Sequence, residues 1–195
     1  MQFPIKLQFK ILALAPQITA TDASGQKLFY VKQKLFKLKE AVKVYTDETQ
    51  TEVLYEINAD RIIDFSARYH FKDANGEDLG SIKRRGRRSI FKANYDIFNA
   101  QEEIVASIHE ESGWSRVGDI LFSEIPIVGL FSGYIFNPTY LVTRPDGTDI
   151  VKIKKQKTML ESTFTIEEAV DTNEAAKIRT VLAILMMTLL ERSRS

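Results

Sequence analysis

Four segments of the chain repeat one pattern. Alternating apolar residues enter a four-residue turn, an apolar residue follows three positions later, a second apolar residue three beyond that, and then a basic residue or histidine. Ile18-Thr-Ala-Thr runs into Asp22-Ala-Ser-Gly25, followed by Leu28, Val31 and Lys32. Tyr69-His-Phe-Lys runs into Asp73-Ala-Asn-Gly76, followed by Leu79, Ile82 and Lys83. Tyr95-Asp-Ile-Phe runs into Asn99-Ala-Gln-Glu102, followed by Val105, Ile108 and His109. Tyr140-Leu-Val-Thr runs into Arg144-Pro-Asp-Gly147, followed by Ile150, Ile153 and Lys154. A weaker copy leads from Val44 through Asp47-Glu-Thr-Gln50 to Val53.

Each copy reads as a β-hairpin. Asn-Gly and Asp-Gly supply the positive φ that tight turns need, and period-two alternation gives each strand one face for a core. A lone hairpin is marginal in water, so the five are expected to pair side by side. Further strands over 5–12 and 162–166 bring the expected total to about twelve. A sheet of that length curls or closes, and closing removes its exposed edges.

The last part of the chain has another character. Asp171-Thr-Asn-Glu174 supplies helix-start residues, with Thr172 or Asn173 as N-cap. A helix over 173–192 follows, and from Val181 to Met187 every residue is apolar. A helix without a water-facing side belongs inside protein or inside lipid. Its uncharged stretch, Thr180 to Leu190, is only about 16 Å long, against a hydrocarbon core of about 30 Å. No transmembrane span is therefore expected. A barrel of about twelve strands is too wide to be filled by its own side chains, and the helix is the natural filling. Ile178, Val181, Leu182, Leu185, Met186 and Leu189 are its expected core residues. The expected fold is mainly β (α+β): a roughly twelve-stranded antiparallel closed barrel, built from repeated hairpins and enclosing a C-terminal hydrophobic helix, with residues 1–195 as a single domain.

Composition narrows the chemistry. With 44% hydrophobic and 27% charged residues in a chain of 195, the protein is neither disordered nor fibrous. There is no cysteine, which removes disulfides, thiolate catalysis and cysteine zinc sites, and two histidines leave no basis for a polyhistidine metal site. The first residues are broken by Lys6 and Lys10 and do not read as a secretory leader. A cytoplasmic protein, at most peripheral to a membrane, is the expectation. Between Glu110 and Phe136 lies the one long insertion. Residues 114–122 fit a short helix, and 125–136 are uncharged and rich in large apolar residues. Asn137-Pro138 interrupts that run, so a buried strand or a loop covering the core is expected, with contact to a membrane as the other reading.

The hairpin repeat, the segment Tyr30-Val-Lys-Gln-Lys-Leu-Phe-Lys-Leu-Lys39 and the terminal hydrophobic helix together resemble the tubby C-terminal-like superfamily. Within it the chain looks most like the LURP-one-related proteins and their bacterial relatives, with phospholipid scramblases as cousins. The resemblance implies a twelve-stranded barrel threaded by its C-terminal helix, and a function in binding membrane lipid. Fold likeness alone is a weak warrant for function. Scramblases also carry an acidic segment before the final helix that is proposed to bind calcium. The corresponding stretch here, 167–174, lacks the alternating oxygen ligands and the turn glycine of a calcium loop, so no metal and no cofactor are expected.

Lys83-Arg-Arg-Gly-Arg-Arg-Ser-Ile-Phe-Lys92 holds six basic residues and no acid. Arg84 to Arg88 are expected to form a connecting loop. Arginine forks bind phosphate bidentately, and glycine lets backbone N–H groups approach an anion. A second basic segment contributes Lys32 and Lys34 on one strand face. Lys83, Arg84, Arg85, Arg87, Arg88, Lys92, Lys32 and Lys34 are thus the candidates for an anionic ligand. Asp96 to Glu124, by contrast, is acidic, and a dipolar surface is expected. Overall charge is only +1 and no recognition motif accompanies the patch, which disfavours nucleic acid. No Walker loop, Gly-x-Ser-x-Gly or His-Glu-x-x-His occurs, and His70 and His109 occupy ordinary strand positions. The function expected is a non-enzymatic binding module, for anionic phospholipid headgroups or another phosphorylated ligand. The alternative is a structural or protein-interaction module.

Overall fold

The computed structural model describes residues 1–10, 17–32, 41–61, 67–85, 94–111, 139–157 and 161–192. These form β1 (Ile5–Lys10), β2 (Gln17–Thr21), β3 (Lys27–Lys32), β4 (Val42–Tyr45), β5 (Val53–Ala59), β6 (Arg68–Asp73), β7 (Asp78–Arg84), β8 (Asn94–Phe98), β9 (Ile104–Glu110), β10 (Thr139–Thr143), β11 (Asp149–Lys157), β12 (Glu161–Glu168) and a helix, α1 (Glu174–Arg192). Each strand pairs antiparallel with its neighbours in sequence, and β1 pairs with β12 from Ile5↔Ile166 to Lys10↔Glu161, so the sheet closes into a barrel. The expected barrel and its C-terminal helix are both present. The expected short strand at 162–166 is longer, and the insertion readings at 114–122 and 125–136 lie outside the described residues, as do residues 11 and 12.

The five turns share one geometry. In each, the N–H of the fourth residue donates to the carbonyl of the first, at 2.9–3.3 Å. In four of them the side-chain oxygen of the opening Asp or Asn also accepts the N–H two residues on: Ser24 to Asp22, Thr49 to Asp47, Asn75 to Asp73 and Gln101 to Asn99. That second acceptor is why Asp and Asn open these turns. The fourth residue is left-handed throughout. Gly25, Gly76 and Gly147 have φ of 83°, 85° and 89°, whereas Gln50 and Glu102 hold 58° and 63° with a side chain attached. The weak copy at 47–50 is therefore the same turn without its glycine.

Inside the barrel, α1 is surrounded. Every residue from Thr180 to Leu189 is buried, including Val181, Leu182, Leu185, Met186 and Leu189. Ile178, one turn earlier, is only partly buried, because there the helix is still entering the barrel. Asn173 is the N-cap, its Oδ1 accepting the Ala176 N–H at 2.8 Å. Facing the helix are the inward residues of the strands, such as Ile5, Leu7 and Phe9 of β1, and Ile153 of β11, each fully buried. Entry is fixed at β7. Arg179 Nε donates to the Leu79 carbonyl at 2.7 Å, and this close approach needs Gly80. A Cβ at Gly80 would lie 2.1 Å from the Phe98 carbonyl oxygen and 3.0 Å from Arg179, and the residue's φ is 118°.

Two expected outcomes test this architecture. Leu185→Ala removes side-chain volume from the sealed centre and should cost about 2–5 kcal/mol, measurable by denaturant unfolding; a cost typical of a surface site would show that the helix is not the core. Gln50→Gly releases a left-handed strain of about 1–2 kcal/mol, partly offset by glycine's larger unfolded-state entropy. It should raise the melting temperature by a few degrees, whereas unchanged or lowered melting would contradict the turn geometry.

Candidate functional site

Antiparallel closure sorts the connections by end. The five tight turns and the link from β12 into α1 lie at one end. The strand ends joined through 11–16, 33–40, 62–66, 86–93, 112–138 and 158–160 lie at the other, where the helix also finishes. Both basic segments singled out in the sequence reach this second rim. Lys32 ends β3 there and is exposed, and Lys83 and Arg84 end β7 there, four strands away. Lys34, Arg87, Arg88 and Lys92 lie outside the described residues.

The basic run does not form one patch, and the loop expected to start at Arg84 starts later. Arg84 is the last residue of β7, paired with Tyr95 of β8, and Arg85 N–H still donates to the Asn94 carbonyl at 2.9 Å. Strand alternation then splits the run. Lys83 faces outward beside Asp96, while Arg84 follows Gly80 and Ile82 on the inner face. Arg85 is held by Asp96, with Nε–Oδ2 at 2.9 Å and Nη2–Oδ1 at 2.7 Å, and this pairing raises its pKa. Asp96, the first acid of the acidic stretch, is thus the lateral neighbour of the basic strand. Similar pairs cross the outer wall at Lys43–Glu56, Lys152–Glu111 and Lys154–Glu167, at 3.8, 3.1 and 2.8 Å.

At the mouth where α1 ends, inward-facing ionisable groups come together that the sequence reading did not select. Glu191 accepts a hydrogen bond from the Tyr95 hydroxyl at 2.6 Å. Burial first, and then the Glu191 charge, push the Tyr95 ionisation far up. Tyr140 is pushed up to about 12 by burial, then by Glu110 and Glu191. The Arg192 guanidinium lies 4.8 Å over the Phe9 ring, and the Lys155 ammonium lies 5.5 Å over the Phe164 ring. Those two rings meet edge to face at 5.4 Å. Tyr140, Lys155, Phe164, Glu191 and Arg192 line a pocket of ≈ 180 Å³. One signal could have found it: Lys155 keeps the inward phase of Val151 and Ile153, and Arg84 keeps that of Ile82. A cation in apolar phase at a strand end marks a barrel mouth.

At the other mouth the Met1 ammonium pairs with Glu174 at 3.0 Å. A pocket of ≈ 230 Å³ there is lined by Asp22, Phe29, Tyr55, Glu174, Ile178 and Leu182. Asp22 spends Oδ1 on Ser24 Oγ at 2.6 Å and on the backbone of Ser24 and Gln26, which holds its pKa down. The carboxylates of 167–174 are likewise engaged. Glu167 pairs with Lys154, while Glu168 and Asp171 share Lys177 at 3.4 and 2.7 Å. His70 and His109 sit within β6 and β9.

Fold and site define a class: a closed antiparallel barrel filled by its own hydrophobic helix, with a cationic and aromatic mouth where the helix ends. The chain belongs to the LURP-one-related family, whose model matches residues 27–187. No curated protein matches it. No helix among the described residues is long and apolar enough to cross a membrane.

The buried tyrosines imply a defined alkaline response. Below pH 10 the Tyr140 hydroxyl is protonated in both folded and unfolded chains. Above that, the unfolded chain releases its proton first, and stability falls until the folded-state value of about 12 is reached. In a melting series between about pH 9 and 12, Tyr140→Phe should lose less stability than the wild type. Parallel curves would show that the hydroxyl is not desolvated in the folded state.

Proposed function

We propose that the protein is a non-enzymatic binding module for anionic ligands, phospholipid headgroups foremost, engaged at the rim where α1 ends. The observation that carries this reading is the convergence of both basic segments on that rim. Lys32 on β3 and Lys83 on β7 face outward there, at the two flanks of an arc four strands wide, roughly 19 Å along the wall. The sequence between Arg85 and Asn94 adds Arg87, Arg88 and Lys92 without an acid. On the outer wall Lys43, Lys152 and Lys154 are each paired with a glutamate. Membership of the LURP-one-related family, with its resemblance to lipid-binding tubby domains, supports the same choice.

Sedimentation with vesicles tests it. The wild type should bind anionic but not zwitterionic vesicles, and rising salt should release it, because exposed charges are screened beyond about 8 Å at physiological ionic strength. The informative variant changes Lys32, Lys83, Arg87 and Arg88 to Ser and leaves Arg84 and Arg85 in their strand contacts. Equal vesicle binding by this variant and the wild type would overturn the rim assignment. Absence of vesicle binding by the wild type would favour the protein-interaction reading.

A further inference from the structure

The mouth pocket contains a donor that the described residues leave unpaired. Arg192 lines it, yet among the described residues its buried Nη1 has no hydrogen-bond partner. Burial lowers the pKa of this guanidinium. Glu191 lines the same pocket, and its carboxylate accepts the Tyr95 hydroxyl at 2.6 Å. Stacking on Phe9 recovers part of the lost hydration, but a π face does not fill N–H donors. A half-buried cation in this position favours an anion beside it.

The surroundings specify what kind of anion. Lys155 brings a second positive charge from β11, and Tyr140 brings a hydroxyl from β10 that stays protonated at neutral pH and so can donate. Donors therefore reach the pocket from three elements. Its volume of ≈ 180 Å³ accommodates a tetrahedral oxyanion and a small organic group, for which Phe164 and Met187 form an apolar floor. Several oxygens arranged in three dimensions match donors from three directions; a planar carboxylate, with two oxygens, matches fewer.

We propose that this pocket is a binding site for a phosphate-type oxyanion, held by Arg192, Lys155 and Tyr140. It lies inside the mouth, apart from the outward charges of the rim, and does not rest on the lipid-docking reading. The phosphate can be free, as inorganic phosphate or a small phosphomonoester, or can be the headgroup of a lipid reaching into the barrel.

The test is a calorimetric and thermal-melting titration of the full chain with inorganic phosphate and with glycerol phosphate, against chloride and acetate at equal ionic strength. Phosphate should bind and raise the melting temperature beyond both controls. Arg192→Gln removes the buried charge and should melt at or above the wild-type temperature in chloride, yet weaken phosphate binding roughly tenfold or more. Lys155→Gln provides the same comparison should Arg192→Gln fold poorly. The rim variant at Lys32, Lys83, Arg87 and Arg88 should bind phosphate as the wild type does, which separates this site from the lipid-docking face. No binding above the chloride control, an equal response to acetate, or unchanged affinity in both Gln variants would overturn the proposal. Vesicles containing phosphatidic acid then assign the source. Displacement by inorganic phosphate, lost in Arg192→Gln, identifies a lipid headgroup in the pocket; phosphate binding without such competition identifies a free phosphate.

Discussion

A closed sheet of twelve strands encloses more space than its own inward side chains can fill, and the rest of the molecule follows from how that space is occupied. An amphipathic helix would bring a polar stripe into the centre. The one that is present is apolar on all sides over Val181–Met187, and every residue from Thr180 to Leu189 is buried. Strand and helix are mutually required: the sheet closes because its apolar face has something to close upon, and the helix avoids water because the sheet surrounds it. The seal at the entry is correspondingly tight. Gly80 gives up a side chain so that Arg179 can reach the Leu79 carbonyl.

Two kinds of end result from this arrangement. At the first, Asx-type turns finish their own hydrogen bonding and leave little for a ligand. At the second, the helix stops, and the cations Lys155 and Arg192 lie over the rings of Phe164 and Phe9. On the outer wall Lys43 and Lys154 each meet a glutamate from a neighbouring strand, and Lys152 meets Glu111, just past the end of β9.

The architecture was legible in the sequence because two independent periodicities required each other. Alternation around Asp22, Asp73, Asn99 and Arg144 specified hairpins, and the unbroken apolar run after Thr180 specified what they surround. The weak copy at Asp47–Gln50 keeps the same pattern, although its left-handed position carries glutamine. The candidate site was less legible. Arg84 and Arg85 are adjacent in sequence, but a strand sends them to opposite faces, one toward Tyr95 and the other to Asp96. Composition counts both as basic; only the phase of the alternation separates them. Lys155, Tyr140, Glu191 and Arg192 come from three elements, and no local pattern joins them. They meet because the barrel closes and because α1 has a particular length.

The position of α1 after all twelve strands has a further consequence, one of timing. As the chain leaves the ribosome, ten hairpin strands can pair locally, but β1 finds β12 only across more than a hundred and fifty intervening residues, from Ile5 to Ile166. The central filling arrives later still. Until then the growing sheet presents its inner apolar face to water, and each unpaired edge can recruit another chain. Local turns make the early steps fast, whereas closure carries the entropy of the longest loop in the molecule. The five self-sufficient turns thus hold a nearly finished wall in register while it waits for its last element, and the protein's exposure to misassembly is concentrated in that interval.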